Sequence, residues 1–149
     1  MTNLPLLIDA ICEAFMKGVQ GGIWEPSPGV THCNEAVNFV AYRMGYSGFS
    51  GLMANDICDK LDKAEDWKLT TPVGAQLAAN QGSLVVAAWK NPAGHGHVCI
   101  VRPGNPVPSP DWGMQAPKIM NIGKVNFLDK PASFAFTKLE MPRFFIWGS

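Results

Sequence analysis

The sequence predicts an α+β fold in a single domain. Helix-periodic apolar stripes recur up to Gly82, β-favouring runs separated by turn residues follow it, and the change of character falls once. The 149 residues suit one ordinary domain with a substantial core. An apolar fraction of 47% against 16% charged residues gives a compact globule rather than a disordered chain. Twelve basic residues balance twelve acidic ones, so no global field recruits nucleic acid or an anionic membrane. No run approaches the roughly 20 apolar residues of a membrane helix, and membrane insertion is not expected.

The first helix is expected over Leu4–Lys17. Asn3 stands at its cap, Pro5 in its first turn and Gly18 after its end, and Leu7, Ile11, Ala14 and Phe15 form the stripe. Its start lacks basic residues, and Asp9 and Glu13 interrupt it, so it does not read as a signal peptide. Synthesis in the cytoplasm is expected, with a separate route out for any action beyond it. Gly21 to Gly29 reads as a loop. A second helix over Cys33–Met44, stopped by Gly45, carries the stripe Cys33, Val37, Val40, Ala41 and Met44, with Thr31 as a cap. A third over Ala54–Ala64 has Ile57, Leu61 and Ala64 in phase. A fourth runs from Thr71-Pro72 to before Gly82, with Leu77 inward.

Leu84–Trp89 and His97–Val101 read as strands joined by the turn Asn91-Pro92-Ala93-Gly94, hence an antiparallel hairpin. Pro103–Pro117 reads as a surface loop. Lys118–Ile122 and Arg143–Trp147 read as further strands, with a weaker one over Ser133–Thr137. The architecture expected is N-terminal helices packed on an antiparallel β-sheet.

The four cysteines, Cys12, Cys33, Cys58 and Cys99, are too irregularly spaced for a disulfide framework. Cys12 and Cys58 read as small buried residues. Cys33 differs, because it starts a helix. Partial positive charge and unpaired backbone N–H groups collect there, favouring a thiolate and an oxyanion. A histidine from a facing strand would supply the base. His32 is too close in sequence to aim at the same point and reads as structural or substrate-facing. Strand alternation puts His95, His97, Cys99 and Val101 on one face, which leaves a metal-binding hydrolase built on His95, His97 and Cys99 as a rival. Cys99 itself reads as core packing. A polar group on a neighbouring strand should orient the imidazole. Asn121, inside the apolar Ile119–Ile122, is the candidate and Asn126 the alternative.

At these residues the chain resembles the papain-like cell-wall amidases and peptidases of the CHAP and NlpC type. Cys33-Asn34 matches their nucleophile at a helix start, and Gly96-His97-Val98-Cys99-Ile100-Val101 matches their base strand, which favours His97 over His95. Gly82–Trp89 resembles the strand leading into that histidine, and Pro117–Gly123 the strand after it in phage-encoded and secreted-toxin relatives. The chain departs from them in the neighbours of its cysteine and in Cys99, where a smaller residue is usual.

The resemblance implies a papain-like fold, catalytic Cys33, His97 and Asn121, and Trp24 lining the cleft; His32, Asn34 and His95 are the further candidates to face the substrate. It implies no cofactor and no metal. It also implies hydrolysis of an amide bond in peptidoglycan, by a phage lysin (endolysin) released through a holin or by an exported bacteriolytic toxin with an immunity partner. No appended wall-binding module is evident, so targeting would rest on the cleft. A non-catalytic phage or interaction protein on the same fold is the other reading, as is an amidase acting on a host protein.

Overall fold

Ile8, Ile11, Cys12 and Phe15 recur at helical spacing and define the buried stripe of the first helix, α1 (Leu4–Gln20). Ala14, expected on that stripe, faces solvent, because the stripe centres on Ile8 and Phe15 rather than on Leu7. The computed structural model describes residues 4–20 and 32–148. Asn3, Thr31, Trp24 and the rest of the 21–31 segment lie outside the described residues.

Helix α2 (Cys33–Arg43) buries Cys33, Val37, Val40 and Ala41, as its periodicity predicts, and His32 occupies its N-cap. Helix α3 (Ala54–Lys63) buries Ile57, Cys58 and Leu61. Helix α4 (Pro72–Asn80) starts as expected, with Thr71 Oγ1 accepting from Gly74 N at 3.1 Å and Pro72 in its first turn. Its inward residue is not Leu77, which is 58% exposed. Ala75, Ala78 and Ala79 face inward instead, and these small side chains let the helix lie close against the sheet.

The sheet has six strands, every neighbouring pair antiparallel, in the order Trp67–Thr70, Arg143–Trp147, Val85–Trp89, His97–Val101, Lys118–Asn121 and Phe127–Pro131. They are β1 (Trp67–Thr70), β2 (Val85–Trp89), β3 (His97–Val101), β6 (Lys118–Asn121), β7 (Phe127–Pro131) and β8 (Arg143–Trp147). The expected hairpin forms, with Trp89 opposite His97. Strands β1 and β7 lie at the edges and bury one face sparsely, so their periodicity is faint in the sequence. The expected strand over Ser133–Thr137 is a 3₁₀ turn at Ala132–Phe134, because β7 already forms that edge and ends at Pro131. The stretch expected as a surface loop holds a small hairpin, β4 (Val107–Ser109) with β5 (Met114–Ala116). Trp112 between them is buried and donates from Nε1 to Phe136 O at 2.8 Å.

Both faces of the sheet are covered. Val86, Ala88, Val98, Ile100, Met120 and Phe145 join the core under α1, α2 and α3. Val85, Ala87, Cys99, Val101, Ile119 and Phe144 join a second core with the alanines of α4, Trp112 and Phe136. Strands buried on both sides read as continuous apolar runs, which explains Val85–Ala88 and Val98–Val101. Two buried polar side chains tie the layers. Gln76 donates to Arg102 O at 2.7 Å and accepts from Lys118 N at 2.8 Å, linking α4 to the ends of β3 and β6. Arg102 pairs with Asp9 of α1 at 2.7 Å and donates to Leu128 O at 2.8 Å.

Candidate active site

The start of α2 and the start of β3 meet at one edge of the layered core. Cys33 is the first residue of α2 and is buried, and its side chain is hydrogen-bonded to that of His97, the first residue of β3. Residues 98 and 100 face the α1–α3 layer while His97 and Cys99 face the other way. Because His97 stands at the strand end, its ring still reaches the helix start.

Asn121 ends β6, the strand beside β3, and its Oδ1 lies 2.5 Å from His97 Nε2. Asn121 Nδ2 donates to Val125 O at 2.7 Å, which fixes the amide so that its oxygen faces the imidazole. An amide oxygen accepts and cannot donate, so Nε2 carries the proton in this contact. Nδ1 is then the nitrogen left to act as a base toward Cys33. Asn126, the alternative, accepts from Gly123 N at 2.9 Å and holds the β6–β7 turn.

Two packing contacts confine the ring. Phe136 lies against it with centroids 5.1 Å apart. At Gly123 a Cβ would come within 3.2 Å of His97 Cε1, so any larger residue crowds the imidazole.

The surroundings raise the His97 pKa. Burial alone would lower the His97 pKa, but the neighbouring Cys99 and Cys33 side chains and their hydrogen bonds outweigh it, and the net direction is upward. Full burial also raises the Cys99 thiol's own pKa, which keeps Cys99 neutral. Cys33, beside the same ring, stands at the positive end of α2, where a thiolate is favoured. Burial holds the other two cysteines as neutral thiols, with Cys12 pushed up to about 12 and Cys58 to about 11.

The remaining predicted residues surround this centre unevenly. Asn34 donates to Leu52 O at 3.0 Å and borders the small cavity, about 50 Å³, onto which Cys33 opens. His95 is exposed and lines both that cavity and a larger cleft of about 410 Å³, which His97, Asn121, Trp89, Phe134, Lys124 and Glu140 also line. His32 does not line either cavity. Its Nδ1 meets Glu35 Oε2 at 2.8 Å, and its side chain makes no capping hydrogen bond to α2. Among the described residues, no three His, Cys, Asp or Glu side chains converge as metal ligands, so His95, His97 and Cys99 do not assemble the rival site.

Two contributors escaped the sequence reading. Asn55, in the first turn of α3, donates to Asn91 O and Gly94 O, both at 2.9 Å, and accepts from Asn91 N at 3.0 Å. It clamps the turn that delivers His97. Gly96 is the reason the clamp fits, since a Cβ there would stand 2.3 Å from Asn55 Oδ1 and 2.7 Å from Trp89 O. The glycine was visible in the sequence, but nothing there paired it with Asn55. The second is Cys99. It packs in the core as expected, yet its Sγ also lies 2.9 Å from Asn121 Oδ1 and 3.2 Å from His97 Nε2.

No protein-family model matches the chain, and no curated protein matches it.

Proposed function

We propose that the protein is a thiol amidase or endopeptidase of peptidoglycan, on a papain-like fold of the NlpC and CHAP type. The observation that carries this is the array of Cys33 at a helix start, His97 hydrogen-bonded to it, and Asn121 on the far side of the ring. In the reaction, the Cys33 thiolate attacks the amide carbonyl carbon. The N–H groups of the first turn of α2, at the positive end of that helix, donate to the oxyanion. The C–N bond breaks as His97 gives the proton it took from Cys33 to the leaving amine, leaving a thioester. Water then loses a proton to His97 and attacks the thioester, releasing a carboxylate and restoring the thiol. Asn121 keeps the ring oriented through both steps.

The two cavities fit a substrate that lies across Gly96, one arm in the narrow space beside Cys33 and the other in the wider cleft beside His97. The substrate class comes from the sequence resemblance, as do release by a holin or an export machine, action at the cell wall or periplasm, and an immunity partner in the exporting case. No described helix is long and apolar enough to cross a membrane.

The test is mass analysis of fragments released from purified peptidoglycan by the wild type and by Cys33→Ala. Release by the wild type alone supports the reading, and the fragment masses name the bond. No release from several wall types by either protein would overturn it. A non-catalytic protein on this fold would then be the better account.

A further inference from the structure

Asn121 Oδ1 has two lone pairs, and two donors converge on it. One is the Nε2–H of His97 at 2.5 Å, and the other is the Cys99 S–H at 2.9 Å. The Asn121 amide nitrogen is taken by Val125 O at 2.7 Å. Turning the amide over would set its NH₂ against both donors, so the two donors together fix its orientation. The pleat explains how Cys99 comes to be there. Residues 97 and 99 share a face of β3, and Asn121 is on the adjacent strand β6. Burial keeps the Cys99 thiol protonated, hence able to donate. The titratable groups facing His97 are Cys33 from α2 and Cys99 from its own strand, with His95, Lys124 and Glu140 lining the same cleft.

We propose that Cys99 is a positioning residue: its S–H locks the Asn121 carboxamide and thereby holds His97 with Nε2 protonated and Nδ1 turned to Cys33. The proposal rests on the thiol-hydrolase reading. It gives a role to the residue at which this chain departs from its resemblance, where a smaller side chain would leave one lone pair of Asn121 empty in a buried place.

The test follows the rate of Cys33 alkylation by iodoacetamide against pH, located by peptide mass, in the wild type, Cys99→Ala and Cys99→Ser. Loss of the thiol should slow labelling near neutral pH by about 3- to 10-fold, the effect of one modest hydrogen bond. The serine variant, which keeps a donor, should recover part of that loss. A core-packing role would lower the melting temperature of Cys99→Ala and leave the pH profile in place, and that result overturns the proposal. A wild-type Cys33 that reacts as an ordinary thiol overturns the hydrolase reading and this proposal with it. Should Cys99→Ala not fold, ¹⁵N spectra of the Cys33→Ala protein decide. A neutral His97 protonated on Nε2 supports the lock, and one protonated on Nδ1 overturns it.

Discussion

Asn121 Oδ1 meets His97 Nε2 at 2.5 Å, between the end of one strand and the start of its neighbour. This contact decides which ring nitrogen can serve Cys33. We expect Asn121→Ala to lower the turnover of peptidoglycan by on the order of 10- to 100-fold, within the usual contribution of an oriented acid–base group. Substrate affinity should change little. Kinetics that show KM rising while kcat stays constant would count against an orienting role.

The clamp by Asn55 predicts a local effect. Asn55→Ala removes the bonds to Asn91 N, Asn91 O and Gly94 O, so the Asn91 amide should exchange with deuterium faster than amides in the middle of β3. Gly96→Ala attacks the same junction from the other side. Its Cβ would collide with Asn55 Oδ1 and Trp89 O, at a cost of about 1–3 kcal/mol for overpacking. Chemical denaturation checks this, and unchanged stability would mean that the turn relaxes freely.

The buried thiols predict alkaline sensitivity. In the unfolded chain Cys12 and Cys58 ionise at their ordinary value of 9.0, while folding raises them to about 12 and about 11. Their pKa values are raised on folding, so their contribution is complete below pH 9.0 and is lost as pH climbs toward the folded values. Each thiol should remove about 1.4 kcal/mol per pH unit within that window. Melting curves through this range should therefore fall less steeply for a Cys12→Ala, Cys58→Ala double variant than for the wild type. Parallel slopes would show that other groups carry the alkaline loss.

Asp9→Asn should be the most damaging of the conservative surface-to-core changes. Arg102 is 5% exposed and would keep Leu128 O but lose its charged partner. Removing one member of such a pair costs about 1–3 kcal/mol when the acid is partly open to solvent. A shift in the denaturation midpoint measures it, and none is expected for Asp59→Asn, whose partner Lys90 is solvent-exposed.

The long, strongly periodic elements were legible in the sequence. Cys33, Val37 and Val40 announce α2, and the two apolar runs around Asn91–Gly94 announce the β2–β3 hairpin. Edge strands β1 and β7 were not, since Lys68, Asp129 and Lys130 leave no clean alternation. Leu77 is apolar yet exposed, because the close approach of α4 to the sheet selects alanine for the inward face. Within the site, Cys33, His97 and Asn121 each carried a local signal: a helix start, a glycine-preceded strand, and a polar residue in an apolar run. Asn55 carried none, and Cys99 stood out only by sharing a strand face with His95 and His97 and by its size, not by any link to Asn121. Asn55 acts on a turn 36 residues away, and a thiol in an apolar strand looks like packing until the neighbouring strand is in place.

The proposed nucleophile belongs to the helical layer and its proposed base to the sheet, so neither segment would hold a reactive centre by itself. On the proposed reading, chemical reactivity at Cys33 is an assembled property, expected to be absent from a nascent or partly opened chain and present once the layers dock. A thiol probe would thus sense the docking of α2 on β3 before any change in helix or strand content. A molecule that wedges this seam apart could silence the protein while leaving every element of it intact.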